Sequence, residues 1–491
     1  MAEVIVSLFA RDPDRTIKDA RRAAMAGADW VELRLDEWPK GHKLGPVVDA
    51  LRVPLIAACR MPRDGGRFRG SNQERIALLE HALEAGVQGV DIEDWETWAP
   101  RGDAVRLLIR SHHDQRGIPK DLRALRERLL DRGADVAKIV GRADDLADAA
   151  PLLELLASTD PDAEPTVAFA TGAAASVTRV LACALGAPFG YASLVEGEET
   201  ALGQLPVADA VGLYRMRTLG LDTQIFGLLG QPARHSLGPW LHNRAFRAGQ
   251  HDAVYLAFES SRPKDVLAML PHRRVRGMSV TAPFKETALA FCHRLDPVAE
   301  IVGAVNTLSF EAHDLVVGHN TDVAGVREGL RRAGLSDGAG AGVVLGGGGA
   351  ARAAALALEQ LGLEVTVCAR SLDTIREFAK RRGYRLGALR AEVLTRIEPR
   401  VVVHATPVGS RAHGSEGDRV VPEWTPSPGV IVADMVYRPQ KTRLLVEAAA
   451  AGARVVSGLE LFLVQAAEQL RIFFGERVDE DELRRYLAGV D

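Results

Sequence analysis

The chain has 491 residues, 47% of them hydrophobic, and its 61 Lys and Arg against 65 Asp and Glu give a formal net charge of −4. This length exceeds what one hydrophobic core organises and predicts two or three domains. The small negative charge excludes the basic surface of a nucleic-acid-binding protein. No apolar run is as long as the about 20 residues that a membrane-spanning helix needs. We expect a cytoplasmic protein that acts on small molecules, with neither nucleic acid nor a membrane as partner. The sequence leaves the oligomeric state open.

The four cysteines, at positions 59, 183, 292 and 368, lack the CxxC spacing of zinc sites and redox motifs. This scatter is typical of reduced, buried thiols and favours neither a disulfide framework nor a bound metal. The first residues also lack the charged and apolar regions of a secretory signal. A reducing compartment is therefore expected.

Eight β-strands alternate with helices over the first 217 residues, with short connections between them. Runs of β-branched and apolar residues place these strands near 4–9, 30–35, 54–59, 89–92, 106–110, 136–140, 166–170 and 188–193. Eight such units in this length fit a closed (β/α)8 barrel, the TIM barrel, better than an open sheet. In that fold the catalytic residues lie at the carboxyl ends of the strands, so we expect the active site there.

Ionisable residues collect at the predicted strand ends. A lone histidine or arginine in such a place is more often structural, but several that converge on one barrel mouth indicate a functional site. The residues concerned are Glu32 and Arg34 on strand two, Arg60 after strand three, Asp91 and Glu93 on strand four, His112, His113 and Asp114 after strand five, and Lys138 on strand six.

Lys138 lies in the apolar run 134–140, in a chain that has nine lysines. A buried ammonium is costly, so this lysine either forms a structural ion pair, snorkels to solvent, or serves as a neutral amine. An amine without a permanent counter-ion would condense with a ketone to an iminium, whose adjacent C–H a histidine deprotonates. The lysine pKa of about 10.4 must then fall by about 3, which burial and a neighbouring guanidinium can produce. Nearby arginines would also bind a substrate carboxylate.

Five motifs follow one another in the first half: 31–36 (VELRLD), 59–60 (CR) with 65–66 (GG), 111–114 (SHHD), 137–139 (AKI) and 203–204 (GQ). In order and spacing they resemble type I 3-dehydroquinate dehydratase over essentially all of residues 1–217. The resemblance implies that Lys138 forms a Schiff base with the substrate and that His113 is the general acid and base.

The same resemblance implies the residues that hold the substrate, with two departures. Asp64 stands where the family usually has a glutamate that assists the histidine, and its carboxylate is one methylene shorter. Thr200 replaces the usual serine of the loop that closes over the substrate, which keeps the hydroxyl and adds a methyl group. The other substrate contacts that the family implies are Ser7, Glu32, Arg34, Arg60, Arg179 and Gln204.

A new strand at 224–229 follows the barrel almost at once, so the linker is short. Further along, Gly346-x-Gly348-x-x-Ala351 stands between an apolar strand at 341–345 and a helix at 352–361. A flexible linker is the alternative for a glycine run. The strand-to-helix context instead favours a dinucleotide-binding loop, in which pyrophosphate lies on the helix N-terminus.

The next strand, at 364–368, is followed by Arg370 and Ser371 where an NAD site would carry an acidic residue. An arginine and a hydroxyl at this place suit a 2′-phosphate, so NADP is the predicted cofactor. A plain surface arginine is the alternative for Arg370.

Lys285 and Asp322 are the candidate catalytic pair of the second half. Each has an ordinary alternative, since a lysine on a first helical turn is usually solvated and an aspartate that opens a helix is usually an N-cap. Together, facing a nicotinamide, they would supply the proton that hydride transfer to a ketone requires.

Seven further motifs accompany this pair: 235–236 (HS) with Pro239, 281–285 (TAPFK), 304–307 (AVNT), 320–322 (NTD), 404–407 (HATP), 434–437 (DMVY), and 458–459 (GL) with Gln465. They resemble shikimate dehydrogenase over residues 222–491. The resemblance makes Lys285 and Asp322 catalytic. It implies substrate contacts at Ser236, Thr281, Asn306, Tyr437 and Gln465, and cofactor contacts at Gly346, Gly347, Gly348, Gly349, Ala350, Ala369, Arg370, Ser371, Thr374, Met435 and Gly458.

The expected fold is thus α/β, with a TIM barrel at 1–217 and a two-lobed region at 222–491. The substrate lobe would comprise 222–322 and 458–491, and the Rossmann NADP-binding lobe 323–457. The expected function is bifunctional: dehydration of 3-dehydroquinate to 3-dehydroshikimate, then reduction to shikimate with NADPH.

Two alternatives remain open. Gly238 stands where the family usually has a serine, which leaves room near the substrate carboxylate, so the dehydrogenase half could prefer quinate. A metabolite-sensing regulator built from inactive enzyme domains is the alternative from another class. The candidate catalytic residues of both halves, all present, argue against it.

Overall fold

The computed structural model describes residues 1–100, 105–160, 162–172, 175–270, 274–311 and 315–490. The chain forms two compact units, residues 1–226 with 246–275, and residues 227–245 with 276–491. This division differs from the predicted domain limits because residues 246–275 group with the barrel.

The first unit is built on a curled parallel sheet whose eight main strands lie where the sequence predicts them. The hydrogen-bonded order is β7-β6-β5-β4-β3-β2-β1-β8-β9. In the described part of the chain no ladder joins β7 to β8, and the rings of Phe169 and Tyr191 meet there at 5.8 Å. The predicted TIM-barrel-like fold class is confirmed. The strands are β1 Glu3–Phe9, β2 Trp30–Arg34, β3 Leu55–Ala58, β4 Gly89–Glu93, β5 Leu107–Asp114, β6 Val136–Arg142, β7 Thr166–Thr171, β8 Phe189–Ser193 and the short β9 Leu205–Pro206.

One strand is longer than the sequence indicates. β5 was expected to end at residue 110, with the SHHD motif in a loop, but its ladder with β6 continues from Ile109 opposite Val136 to Asp114 opposite Gly141. The motif therefore lies within the strand. Because side chains of a strand alternate between its two faces, Ser111 and His113 share one face, and His112 points the other way.

Helices between these strands are set by local capping. The Asp12 side chain accepts a hydrogen bond from Arg15 N at the start of α1, and Ser71 with Glu74 forms a capping box at α3. The helices are α1 Pro13–Met25, α2 Gly45–Asp49, α3 Asn72–Glu84, α4 Leu122–Asp131, α5 Ala150–Ala157 and α6 Val177–Ala184.

A second sheet follows the barrel in the chain, with the order β11-β10-β12-β14-β15-β13. It mixes antiparallel pairs (β12 with β14, β14 with β15) and a parallel pair (β13 with β15). Its elements are β10 Gln224–Gly230, α7 Gly238–Ala248, β11 Ala253–Glu259, α8 Pro263–Met269, β12 Val275–Val280, β13 Arg294–Leu295, α9 Pro297–Val302, β14 Thr307–Phe310, β15 Val316–His319 and α10 Asp322–Arg332.

The third sheet is entirely parallel, with the order β18-β17-β16-β19-β20-β21. Numbered within the sheet this is 3-2-1-4-5-6, the order of a Rossmann fold, which confirms the predicted lobe type. Its elements are β16 Ala341–Leu345, α11 Gly349–Gln360, β17 Glu364–Ala369, α12 Asp373–Arg382, β18 Arg385–Ala388, α13 Ala391–Ile397, β19 Val401–His404, β20 Ile431–Asp434, α14 Arg443–Ala450 and β21 Arg454–Val456.

The last two helices are α15 Gly458–Phe474 and α16 Glu480–Tyr486. The side chain of Gln469 on α15 bonds Ser279 on β12 and Thr307 on β14, so this helix returns to the second sheet. None of the helices in the described ranges combines the length and the apolarity needed to cross a membrane.

Asp145 joins two distant segments of the first unit. It follows β6, and its carboxylate accepts hydrogen bonds from Ser260 Oγ at 2.5 Å, Ser261 N at 2.9 Å and Ala147 N at 3.0 Å. Burial opposes the charge, but these hydrogen bonds outweigh it and lower the pKa of Asp145 to about 2. The ionised carboxylate therefore stabilises the folded unit.

We predict that Asp145→Ala lowers the free energy of unfolding by about 1–2 kcal/mol, the scale of a lost capping side chain. A lowered carboxyl pKa stabilises at pH above the ordinary value of 3.8. The difference from the wild type should thus be constant above about pH 5 and shrink as the pH falls from 4 towards 2. Thermal and urea unfolding measure it. Asp144→Ala is the matched control, because that side chain is 81% exposed; an equal loss in the control contradicts the assignment.

Candidate active sites

Parallel register brings the barrel's charged residues together. Lys138 on β6 lies opposite Ser111 on β5, and Glu93 on β4 lies opposite the same serine. Because alternate residues share a face, Asp91 and Glu93 point to the same side of β4, towards the lysine. Three neighbouring strands therefore present their polar side chains to one interior space.

Lys138 is 2% exposed, and its Nζ donates a hydrogen bond to Asp91 Oδ2 at 2.9 Å. Glu32 Oε2 lies 3.7 Å from the same nitrogen. The expectation that this amine lacks a counter-ion is wrong, because the β4–β5–β6 register carries Asp91 to it. The expected direction of its pKa holds: burial, assisted by the Arg60 guanidinium, lowers the pKa of Lys138, although Asp91 and Glu32 oppose the change.

Asp91 serves two cations at once. Its Oδ2 also accepts a hydrogen bond from Arg60 Nη2 at 2.7 Å, and Ser111 Oγ donates to its other oxygen. Burial raises its pKa, but Lys138 and Arg60 outweigh burial and hold the pKa of Asp91 well below the ordinary range. Since Arg60 Nε also lies 3.3 Å from Glu93, one guanidinium links the lysine's counter-ion to the histidine's partner.

His113 is paired with Glu93. Its Nδ1 lies 2.9 Å from one carboxyl oxygen and 3.0 Å from the other. Burial, Arg60 and Lys138 lower the pKa of His113 well below its ordinary value, so the ring is neutral at pH 7. Burial, with Asp91 nearby, raises the pKa of Glu93 to about 8. Near neutral pH the histidine is therefore neutral, and the carboxyl group beside it titrates at about pH 8.

The structure places Asp64 differently from the simplest expectation. In the described residues its hydrogen bond is with Trp95 Nε1, which donates to Oδ1 at 3.0 Å, while His113 bonds Glu93. Burial, with the charge of Glu93, raises the pKa of Asp64 to about 6. The indole of Trp95 also contacts two guanidinium groups. The Cζ atom of Arg63 lies 3.5 Å, and that of Arg75 4.8 Å, from a ring centroid of Trp95.

A hydrogen-bonded chain crosses the top of strands β1 and β2. Ser7 Oγ donates to Glu32 Oε1 at 2.5 Å, and Thr200 Oγ1 donates to Ser7 Oγ at 2.8 Å. Thr200 N and Gln204 Oε1 are 2.8 Å apart. Arg34 forms two parallel bonds with Asp36, at 3.1 and 2.6 Å. The structure thus brings Ser7, Glu32, Thr200 and Gln204 together, and the hydroxyl of Thr200 takes part in this chain of hydrogen bonds.

Arg179 is completely buried on α6. Its Nε donates to Gly203 O at 3.1 Å, and its guanidinium lies 4.1 Å from the Phe169 ring centroid. Burial lowers the pKa of Arg179 to about 9. Its Nη2, like Tyr191 OH and Ser193 Oγ, has no hydrogen-bond partner among the described residues. Buried polar groups are normally satisfied, so these three indicate a space that a polar ligand completes.

Lys285 and Asp322 form an ion pair in the second unit, with Nζ 2.5 Å from Oδ2. The lysine side chain is 18% exposed and the aspartate side chain 2% exposed. The alternative of a solvated lysine is therefore not found. Thr321, not Asp322, is the N-cap of α10. Asn306 Nδ2 donates to Asp322 Oδ1 and Thr321 Oγ1, both at 2.9 Å, and fixes the carboxylate.

The other predicted substrate residues of this unit form two groups. Gln465 Oε1 accepts from Asn306 Nδ2 at 3.3 Å and thereby joins the ion pair. Tyr437 OH donates to Ser236 Oγ at 3.3 Å, and Gly238 N donates to the same oxygen at 3.0 Å. Thr281 lies on the segment that leads from β12 to Lys285, with its N–H on Leu229 O.

The glycine-rich loop joins β16 to α11 as predicted. Gly346 has a φ of +137°, and a Cβ there would lie 2.8 Å from Ala405 O, so a side chain is excluded. A Cβ on Gly349 would lie 3.4 Å from Cβ of Lys285, which places the helix N-terminus beside the ion pair. The other predicted cofactor residues are Gly347 and Gly348 in the loop, Ala350 in α11, Ala369 at the end of β17, Arg370 and Ser371 exposed after it, Thr374 in α12, Met435 after β20 and Gly458 at the start of α15.

Comparisons with known proteins assign a family to each half of the chain. A family model for type I 3-dehydroquinase matches residues 4–220, and one for the shikimate dehydrogenase substrate binding domain matches residues 228–308. The chloroplastic bifunctional 3-dehydroquinate dehydratase/shikimate dehydrogenase of Arabidopsis thaliana is 30% identical over 501 residues, which cover 96% of this chain and 82% of that protein. The chain belongs to this bifunctional family.

The dehydrogenase half of this bifunctional enzyme also has separate relatives. The NADP(+) shikimate dehydrogenase of Natronomonas pharaonis is 38% identical over 269 residues, covering 54% of this chain and 98% of that one. The crystal structure of shikimate dehydrogenase from Aquifex aeolicus is similar with a TM-score of 0.50 and 29% identity, over 55% of this chain and 98% of that chain. Both family assignments made from the sequence are confirmed.

Sequence reasoning singled out most of the charged residues but missed four of their contacts. Asp91 and Glu93 were noted as sharing a face, yet their pairing with Lys138 and His113 was not inferred. Trp95 and Tyr191 carried no motif signal. The one available signal was spacing, since Asp91 and Glu93 flank a single residue on a buried strand.

We predict that the dehydratase rate rises as the pH passes about 8, where Glu93 ionises. Ionised Glu93 accepts the Nδ1 proton of His113 and leaves Nε2 as a base, whereas protonated Glu93 donates to Nδ1 and keeps hydrogen on Nε2. The measurement is kcat/KM for dehydration from pH 6 to 10. Glu93→Gln should abolish this rising limb of the pH profile, that is, the increase of kcat/KM near pH 8.

Asp94→Asn is the matched control, because Asp94 pairs with His112 on the opposite face of β5, with Nδ1 at 3.1 Å. It should leave the limb in place. Persistence of the limb in Glu93→Gln would assign the ionisation to another group.

Proposed function

We propose that Lys138 of the barrel dehydrates 3-dehydroquinate to 3-dehydroshikimate through an imine, and that Lys285 and Asp322 of the second half serve the reduction of that product to shikimate. The observation that carries the proposal is the buried Lys138, whose pKa is lowered by burial while Asp91 stays within hydrogen-bond distance. Such a lysine is both a nucleophile when neutral and a stabilised cation when condensed.

The imine step follows from these charges. Neutral Lys138 attacks the keto carbon, the former keto oxygen takes one proton from the amine and one from solvent and leaves as water, and the resulting iminium carries a positive charge in place of the ammonium. Asp91 then becomes the counter-ion of the iminium, so the ion pair that contradicted the first expectation supports the covalent intermediate. Because Arg60 shares the same carboxylate, Asp91 holds the amine less firmly than an undivided counter-ion would.

Proton transfer follows from the His113–Glu93 pair. The iminium acidifies the adjacent C–H, and the neutral ring of His113 takes that proton when its Glu93 partner is ionised. The same group then returns a proton to the departing hydroxyl, which leaves as water, and hydrolysis of the imine frees Lys138. We propose that Asp64, held by Trp95, assists this pair through its charge.

Substrate binding in the barrel is proposed for the polar residues around this pair. Arg179 would hold the carboxylate, because its Nη2 is buried without a partner and a guanidinium prefers an anion there. The other proposed contacts are Ser7, Glu32, Arg34, Arg60, Thr200 and Gln204.

The second reaction is a ketone reduction that needs a proton at the forming alkoxide. Lys285, in an ion pair with Asp322, is placed to donate it, and Asn306 keeps the carboxylate oriented. The remaining proposed substrate contacts are Ser236, Thr281, Tyr437 and Gln465. NADPH would supply the hydride when bound.

The residues present fit such a cofactor. Glycine is required at position 346 by its positive φ and by the nearby Ala405 carbonyl, and α11 begins directly after the loop, as a pyrophosphate site requires. We propose NADP rather than NAD on the basis of exposed Arg370 and Ser371 after β17, which suit a 2′-phosphate. The name of the Natronomonas pharaonis relative, an NADP(+) enzyme, agrees with this choice.

We also propose the predicted limits for the barrel (1–217), the substrate lobe (222–322 with 458–491) and the NADP-binding lobe (323–457). The cytosol is proposed as the compartment, because the four cysteines are free thiols in the structure. Quinate stays a second candidate substrate for the dehydrogenase. Gly238 has no side-chain hydroxyl, and its hydrogen bond to Ser236 comes from the backbone N–H. Turnover of shikimate and quinate with NADP+ compares the two.

We predict that two substitutions separate the activities. Lys138→Ala should abolish NADPH oxidation started from 3-dehydroquinate and preserve it from 3-dehydroshikimate. Asp322→Asn should preserve dehydration, followed by enone absorbance, and lower kcat for reduction at least 100-fold because Lys285 loses its ion-pair partner. Each variant is the folding control of the other. Retained dehydration in Lys138→Ala, or retained reduction in Asp322→Asn, refutes the respective role.

We predict that Arg370→Ala raises the KM for NADPH at least tenfold and leaves the KM for NADH nearly unchanged, because only NADPH carries the 2′-phosphate. The measurement is steady-state reduction with each cofactor. Arg376→Ala on α12 is the matched control, since this arginine is exposed and pairs with Asp373. An equal effect on both cofactors would remove the basis of the NADP assignment.

A further inference from the structure

Tyr191 lies inside the barrel and belongs to none of the motifs. It stands on β8 opposite Ile5 of β1 and is 3% exposed. The centroid of its ring lies 3.9 Å from Lys138 Nζ, within the distance of a cation–π contact. The reacting nitrogen of the proposed imine therefore touches an aromatic face on one side and Asp91 on the other.

The hydroxyl of Tyr191 is a second and separate observation. It is buried and has no hydrogen-bond partner among the described residues. Ser193, two residues further along β8 on the same face, has a hydroxyl that is also buried and without a partner there. Burial raises the pKa of Tyr191 well above its ordinary value of 10, so the hydroxyl keeps its proton and can donate it in a hydrogen bond.

The surroundings show which space this hydroxyl shares. The Tyr191 ring packs on Phe169 at 5.8 Å, and the Arg179 guanidinium lies on the same Phe169 ring at 4.1 Å. Arg179 Nη2 is also without a partner. Two unsatisfied donors thus flank one phenylalanine, next to the lysine, where a keto-acid held by its carboxylate and by an imine would offer oxygen acceptors.

We propose that Tyr191 is a further catalytic residue of the dehydratase site, whose ring stabilises the cationic Lys138 and its iminium and whose hydroxyl donates a hydrogen bond to an oxygen of the bound keto-acid. The inference rests on the proposed imine function of Lys138. Tyr191 and Asp91 would then both stabilise the cation on Lys138. Because the tyrosine ring carries no charge, it raises the pKa of Lys138 less than a second carboxylate would.

Two substitutions separate the ring from the hydroxyl. Tyr191→Phe keeps the aromatic face and removes the donor, whereas Tyr191→Leu removes both. We expect Tyr191→Phe to trap the imine at the wild-type rate and to lower dehydratase kcat/KM 10- to 100-fold. We expect Tyr191→Leu to lower the rate of trapping at least fivefold below that of Tyr191→Phe. Trapping is measured as a borohydride-stable mass on Lys138 after incubation with 3-dehydroshikimate.

Controls keep the result interpretable. Reduction of 3-dehydroshikimate with NADPH, measured separately without borohydride on the same full-length variants, reports the second unit, and cooperative thermal unfolding reports the barrel. Tyr214→Phe is the matched control, because this half-buried tyrosine follows the short helix Asp209–Leu213 and belongs to neither site, so it should leave kcat/KM unchanged. If Tyr191→Leu loses cooperative unfolding, Tyr191→Met replaces it, since methionine fills a similar volume without an aromatic face.

The outcomes are distinct. Dehydratase constants within twofold of wild type in Tyr191→Phe overturn the role of the hydroxyl. Equal trapping in Tyr191→Phe and Tyr191→Leu overturns the role of the ring. The absence of any adduct on wild-type Lys138 during turnover would overturn the imine function itself, whereas an adduct on the wild type with unchanged Tyr191 variants overturns this inference alone.

Discussion

The barrel site depends on one carboxylate, Asp91, that two buried cations share. Lys138 and Arg60 both lie within hydrogen-bond distance of it. A buried charge without a partner is strongly destabilising, and Asp91 is the carboxylate nearest to both cations, with Glu32 farther from each of them. The same arrangement permits chemistry, because burial lowers the lysine pKa while the carboxylate remains available to balance whichever cation forms on that nitrogen.

A similar balance governs the proton-transfer pair. His113 and Glu93 are both buried, and burial disfavours the charged form of each. The favoured state is therefore a neutral ring beside a carboxyl group that titrates near neutrality. Parallel strand pairing makes this possible: the ladder between β5 and β6 extends through the SHHD motif, so that His113 lies in a strand opposite Val140 rather than in a loop.

The second unit achieves proximity by other means. Its ion pair joins a residue after β12 to the first residue of α10, and the glycine-rich loop that begins α11 reaches Lys285 because Gly349 has no side chain. The helix N-terminus offers backbone N–H groups and a positive dipole end, which together favour phosphate. The residues named for each site lie within one compact unit.

Much of this molecule follows from the sequence by itself. Periodicity placed the eight barrel strands, and the strand, glycine loop and helix at 341–361 predicted the dinucleotide fold, because these patterns depend on local geometry with periods of 2 and 3.6 residues. The motifs around Lys138, His113, Lys285 and Asp322 were sufficient for both family assignments. The limits of β5 were wrong, since a polar histidine pair resembles a loop although its backbone continues the ladder with β6.

Only the tertiary structure decided which charges meet. Asp91 and Lys138 are 47 residues apart, and Trp95 reaches Asp64 across 31. Tyr191 meets Lys138 because β8 and β6 face the same barrel interior. Such contacts are set by the register and curvature of strands that are distant in the chain, and a one-residue change in register would turn each side chain to the other face. The sequence therefore determined which reactive groups are present, and the fold determined their partners and with them their protonation states.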